Sequence, residues 1–85
     1  MKELRYTITD PLGMHARPAG LFVKQAAGFQ STVTITKDGK EADAKRILGV
    51  MSLGAKQGHE IVIKADGADE DAAIEALGSF LKEHL

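Results

Sequence analysis

An α+β fold, a β-sheet covered by helices on one face, is what this 85-residue sequence predicts. Three observations lead there. Hydrophobic periodicity switches between two and 3.6 along the chain and spells strand, helix, strand, strand, helix, strand, helix, a βαββαβα order. The strands alternate apolar with polar residues, so each has one face to bury. The helices carry an apolar stripe, so each has one face to offer. Packing the stripes onto the sheet is the economical way to satisfy both.

Residues 2–8 open the chain as a strand, with Leu4, Tyr6 and Ile8 pointing one way and Glu3, Arg5 and Thr7 the other. Asp10-Pro11-Leu12-Gly13 marks a loop. From Ala16 to Ala27 the period is helical, with Ala19, Phe22, Val23 and Ala26 on one face, and Gly28 is expected to close the helix. Val33 and Ile35 alternate with Thr and Ser in a second strand over residues 31–36. Lys37-Asp38-Gly39-Lys40 reads as a hairpin turn with a solvated end, since Asp-Gly suits the positive φ angles of a type I′ turn. A third strand over residues 40–43 pairs back. Residues 46–53 form a short helix, and Gly54 and Gly58 punctuate the following loop. A fourth strand runs from Glu60 to Ala65 around Ile61, Val62 and Ile63. Asp69, Glu70 and Asp71 open the last helix, and Lys82 sits near its end, where the helix dipole favours a cation. Ala73, Ile74, Leu77, Phe80 and Leu81 form its buried stripe.

Composition excludes several classes of function. The length fits a single domain, residues 1–85, near the small end of what one core stabilises. A hydrophobic content of 44% argues against disorder. Cysteine is absent, and His15, His59 and His84 lack metal-site spacing, so no disulfide framework, metal or other cofactor is expected. A net charge of −1 gives no reason to expect nucleic-acid or anionic-membrane binding. No apolar run approaches the roughly 18–20 residues of a membrane span, and no signal-peptide core is present; the expected location is the cytoplasm.

The chemistry concentrates in Gly13-Met14-His15-Ala16-Arg17-Pro18-Ala19-Gly20. Pro18 suits the first turn of a helix, where its missing N–H costs nothing. His15 therefore stands at the helix entrance, where open backbone amides and a partial positive charge attract phosphate. Imidazole is a nucleophile at neutral pH, and the Arg17 guanidinium is a fork of donors matched to phosphate. The residues by themselves leave two readings of His15: an exposed loop histidine without a role, or a phosphoryl acceptor. His59 and His84 read as ordinary surface histidines, and Ser52 as a solvated or hydrogen-bonded helix serine.

The stretch Gly13-Met14-His15-Ala16-Arg17-Pro18-Ala19 resembles the active-site signature of HPr, the histidine-containing phosphocarrier family of the bacterial sugar phosphotransferase system. Residues 44–54, Ala-Lys-Arg-Ile-Leu-Gly-Val-Met-Ser-Leu-Gly, resemble that family's second signature at the expected distance. The resemblance covers essentially the whole chain. It implies an open-faced β-sandwich, a four-stranded antiparallel sheet with three helices on one face. It also implies that His15 takes a phosphoryl group on Nδ1 from phosphorylated Enzyme I and passes it to the A domains of sugar-specific enzyme II proteins. The chain would then be a carrier bearing a transient phosphohistidine, with no catalysis of its own. The backbone N–H groups of Ala16 and Arg17 would hold the phosphoryl group, with the Arg17 side chain as anchor. Two positions depart from the family pattern. Leu12 replaces a small polar residue near the histidine. Arg46 stands where many Gram-positive members carry a regulatory serine, so no serine switch is expected there.

A second feature lies in residues 46–53. With Val50 and Leu53 turned inward, Leu48 falls opposite and Ile47 and Met51 fall at the edge. Leu21 likewise falls on the polar side of the first helix. Single exposed apolar residues need no explanation. A cluster beside a reactive histidine reads as a docking patch, with Lys24, Lys45 and Arg46 steering acidic partners. A monomer is expected. Competing readings are an HPr paralogue in a regulatory or nitrogen-related phosphotransferase chain, and a regulatory module that binds without being phosphorylated. A stand-alone enzyme is excluded because no acid/base pair, metal set or pocket signature is present.

Overall fold

The computed structural model describes all 85 residues. The elements are β1 (Lys2–Thr7), α1 (Ala16–Ala27), β2 (Thr32–Lys37), β3 (Lys40–Asp43), α2 (Ile47–Ser52), β4 (Glu60–Asp66) and α3 (Glu70–His84). All seven match the expected order, with ends displaced by a residue or so. Ile8 lies beyond β1 but is fully buried and donates its N–H to the His59 carbonyl. Arg46 caps α2 instead of beginning it.

The strands form one antiparallel sheet in the order β1-β4-β2-β3. The register sets Leu4 opposite Ile63 and Ile35 opposite both Ile63 and Ala42. Because side chains alternate across a strand, Val33, Ile35, Ile61, Ile63 and Ala65 share the face beneath the helices. Thr32, Thr34, Val62 and Lys64 take the other face, which stays open and partly exposed. Between β2 and β3, Asp38 and Gly39 have φ of 52° and 78°, the pair of positive angles a type I′ turn needs.

One core of 19 buried residues joins sheet and helices. The α1 and α3 stripes meet at Phe22 and Phe80, whose rings lie 5.9 Å apart and tilted by 49°. Val23 and Ile74 are only half-buried, at the margins of their stripes.

Two local expectations are corrected. Gly28 ends α1 without a left-handed turn: its φ is −75°, and its N–H donates to the Gln25 carbonyl at 3.1 Å, tightening the last turn. Lys37 is not a solvated end of the hairpin. Its Nζ donates to the Leu53 carbonyl at 3.0 Å and stabilises the C-terminal end of α2.

Asp69 caps α3 at its backbone, but its carboxylate serves another segment. It accepts the N–H groups of Gln30 and Ser31 at 2.8 and 2.9 Å, together with the Ser31 hydroxyl. The Ser31 hydroxyl first, then the Gln30 amide, hold the Asp69 carboxyl below its ordinary 3.8 against a smaller opposing effect of desolvation. A lowered folded-state value means the stabilisation is complete above about pH 4 and is lost as pH falls through the folded-state value. Asp69→Ala should therefore lower the urea midpoint at pH 7 and show a shallower loss of stability below about pH 4 than the parent. Parallel stability–pH curves for the two proteins would remove Asp69 from the acid response.

Candidate phosphoryl-transfer site

Gly13 and Met14 fix where His15 stands. Gly13 has φ +67°, and a Cβ there would lie 2.6 Å from both the Ala55 carbonyl oxygen and Lys56 Cα. Met14 is buried and donates its N–H to the Ala55 carbonyl at 2.9 Å. The chain is thus pinned to the loop after α2 immediately before His15. The His15 carbonyl then accepts the Ala19 N–H at 2.9 Å, the first bond of α1.

His15 occupies the N-cap in extended conformation, with φ −90° and ψ −175°, yet its imidazole makes no capping hydrogen bond. Ser, Thr, Asp or Asn would ordinarily stand here and satisfy an open amide. The half-buried imidazole is left free for chemistry. The amides of Ala16 and Arg17 form no hydrogen bond within the chain, and buried Pro18 has none to satisfy. No acidic residue lies in the first turn of α1. The Arg17 side chain is exposed and makes no ion pair. An anion carried on His15 would face two open amides, the positive end of a 12-residue helix and a guanidinium.

A groove of about 380 Å³ adjoins this site, lined by His15, Arg17, Pro18, Leu21 and His84. His84 is the residue that sequence reasoning passed over. It lies far from His15 in the chain, but the last turn of α3 brings it to the entrance of α1. Its ring stacks on Phe80 at 4.5 Å between centroids and 29° between planes. One signal was available: His84 follows Phe80 by four residues, so the two side chains fall on the same side of α3, although His84 itself stays exposed. His59 remains a loop residue, its Nδ1 accepting the Lys56 N–H at 3.0 Å. Ser52 Oγ donates to the Gly49 carbonyl at 2.7 Å, the local bond expected of a helix serine.

Val50 and Leu53 point inward, with relative exposures of 0% and 7%, whereas Leu48 is 81% exposed. Leu21, Ile47 and Met51 are partly exposed at 43%, 40% and 39%. The two helices that carry them adjoin closely: a Cβ on Gly20 would lie 3.7 Å from Ile47 Cδ1. Lys24 is exposed on α1, and exposed Arg46 pairs with Asp43 at 3.8 Å. Lys45 does not join a free cationic rim, because its Nζ donates to the Phe29 carbonyl at 2.8 Å. Leu12 is 70% exposed and offers no polar side-chain atom to His15, while its N–H is held by Asp10.

Residues 2–83 match the family described as the PTS HPr component phosphorylation site. The phosphocarrier protein HPr of Lysinibacillus sphaericus is 46% identical over 83 residues, covering 98% of this chain and 94% of the relative. The crystal structure of HPr from Thermoanaerobacter tengcongensis superposes with a TM-score of 0.94 at 44% identity, covering 98% of this chain and 93% of that one. Crh, a catabolite repression protein of Bacillus subtilis whose crystal structure is a swapped, intertwined dimer, is similar at TM-score 0.78 and 40% identity, covering 100% of this chain and 98% of that one. The chain belongs to the HPr phosphocarrier family, whose members are carrier components of the phosphotransferase system and not stand-alone enzymes. Its fold is the open-faced β-sandwich that the resemblance implied. No helix is long and apolar enough to cross a membrane.

Proposed function

We propose that the chain relays a phosphoryl group through His15, from phosphorylated Enzyme I to the A domains of sugar-specific enzyme II proteins. The observation that carries this reading is the uncommitted imidazole at the entrance of α1, beside two open amides and Arg17. The Nδ1 lone pair attacks phosphorus; the N–P bond forms as the donor's bond to phosphorus breaks, and the donor keeps that electron pair. The second transfer runs the same way with His15 as leaving group. Transfer of this kind asks for positioning and charge compensation, which the open amides and Arg17 supply on this side and the partner completes on its own. The phosphoryl adds about −1.5 to −2 charges, so the contacts that hold it strengthen on loading. Incubation with Enzyme I and phosphoenolpyruvate should add one acid-labile phosphoryl group by intact mass. An unmodified mass would reject the relay.

Leu21, Ile47, Leu48 and Met51 form the apolar part of the docking surface in this reading, with Lys24 and Arg46 supplying positive charge to acidic partners. Leu48 is the sharpest test because it is exposed and contributes little to the core. Leu48→Asp should weaken Enzyme I binding by more than about 1 kcal/mol while changing stability little. Unchanged affinity would take Leu48 out of the interface. The carrier is proposed to act as a monomer, since His15 must be presented to successive partners. The absence of a hydroxyl at Arg46 removes the serine switch of Gram-positive relatives from this mechanism.

The likeness to Crh favours one second reading, a regulatory binding module on the same fold. The two readings part at the phosphoryl: the module would bind its regulator without requiring labelling by Enzyme I.

A further inference from the structure

We infer that His84 is a positioning residue for phosphorylated His15, presenting a hydrogen-bond donor and a titratable positive charge to the phosphoryl group from the far wall of the groove. This rests on the relay reading of His15 and adds to it a contact from the opposite end of the fold. Three observations carry it. His84 and His15 line the same groove of about 380 Å³, together with Arg17. The His84 ring is held in place by stacking on Phe80, which in turn packs on Phe22 in the core. The end of α3 is also tied down, because the Leu85 carbonyl oxygen accepts from the amides of Thr9 and Asp10 and from the Thr9 hydroxyl. A stacked ring on an anchored helix end is a preorganised donor.

The electrostatics of this side of the groove suit such a group. The end of α3 carries the negative pole of its dipole, and a phosphoryl group loaded on His15 faces that pole across the groove. An imidazole there reverses the local sign when it is protonated, and imidazole is the side chain that changes charge between pH 5 and 8. Of the charged and titratable groups around His84, Arg17 and Lys24 come from α1 and His15 from the N-cap of α1, Lys82 and Glu83 from its own helix, and Asp10 from the loop whose backbone amide bonds the Leu85 oxygen. Asp10 is engaged by the Leu12 amide at 2.8 Å, and Glu83 Oε2 lies 3.9 Å from His84 Nε2. No wall of the groove comes from β4. Loading places a dianion on His15 across the groove from the His84 ring, an anion that a protonated imidazole can face.

The experiment is a pair of NMR titrations on protein loaded by Enzyme I and phosphoenolpyruvate, with loading checked by intact mass. The His84 ring resonances should titrate at a midpoint higher by at least about half a unit when His15 carries the phosphoryl group than when it does not. By linkage, the ³¹P midpoint of the phosphohistidine should rise in His84→Leu, which keeps an apolar group on Phe80 but no donor. His84→Arg should hold that midpoint down at the parent position. A merely structural role for His84 predicts no movement of the ³¹P midpoint in any folded variant. If loading succeeds and neither midpoint moves, the His84 assignment is overturned and the relay reading stands. If no phosphoryl group is taken up, both fall together.

Discussion

His15→Ala should fold as the parent does and accept no phosphoryl group from Enzyme I. The imidazole makes no hydrogen bond to its own helix and is only half-buried, so its removal leaves no orphaned partner and no core cavity. A change in stability within about 0.5 kcal/mol is expected, the range of surface substitutions that touch nothing special. The loss of labelling should be complete because neither other histidine has the required setting. His59 Nδ1 is occupied by the Lys56 amide in a loop without a helix N-terminus. His84 stands at the wrong end of a helix, where the dipole repels a phosphoryl group. Arg17→Ala should differ in kind. It removes an anchor and leaves the nucleophile, so labelling persists while onward transfer slows. Intact mass after incubation with Enzyme I and phosphoenolpyruvate checks both variants. A His15→Ala protein labelled to full stoichiometry would place the acceptor elsewhere.

Much of this was legible because the signals are local. The period of two in residues 2–8 and 31–36, and the stripe of Phe22 and Ala26, set elements and core faces without tertiary information. With Val50 and Leu53 as the inward face, the exposure of Leu48 follows from helical geometry, and the structure has Val50 buried and Leu48 exposed. What escaped was set by the packing of distant segments. Lys37 reads as the solvated flank of a turn until α2 places the Leu53 carbonyl within reach of its ammonium. Lys45 reads as part of a cationic rim until the Phe29 carbonyl at the end of α1 is seen to hold it. Asp69 reads as a helix-start charge, whereas its carboxylate closes the approach to β2. His84 is the instructive case at the site. Its spacing from Phe80 was visible, but only the antiparallel sheet and the crossing of α1 and α3 bring that face to His15.

Gly13→Ala should be strongly destabilising, and it tests how the scaffold aims the nucleophile. Two costs add at this position. A φ of +67° strains any residue with a Cβ, by about 1–3 kcal/mol. The new methyl would also stand 2.6 Å from backbone atoms of Ala55 and Lys56, which cannot rotate away as a flexible side chain would. Overpacking of that kind costs about 1–3 kcal/mol. The stability loss should therefore exceed about 2 kcal/mol in urea unfolding. Gly54→Ala isolates the first cost, because Gly54 has φ +62° but open space around the missing Cβ. Its loss should be smaller, with phosphoryl transfer unchanged. In Gly13→Ala the clash can be relieved only by parting the 13–14 segment from the 55–56 segment, which breaks the bond from the Met14 N–H to the Ala55 carbonyl and releases the entrance of α1. Transfer from Enzyme I should then fall even under conditions where the variant is fully folded, because His15 and the open amides no longer share one fixed geometry. Equal stability losses in the two glycine variants, or parental transfer rates in folded Gly13→Ala, would show that the contact with Ala55 and Lys56 does not position the site.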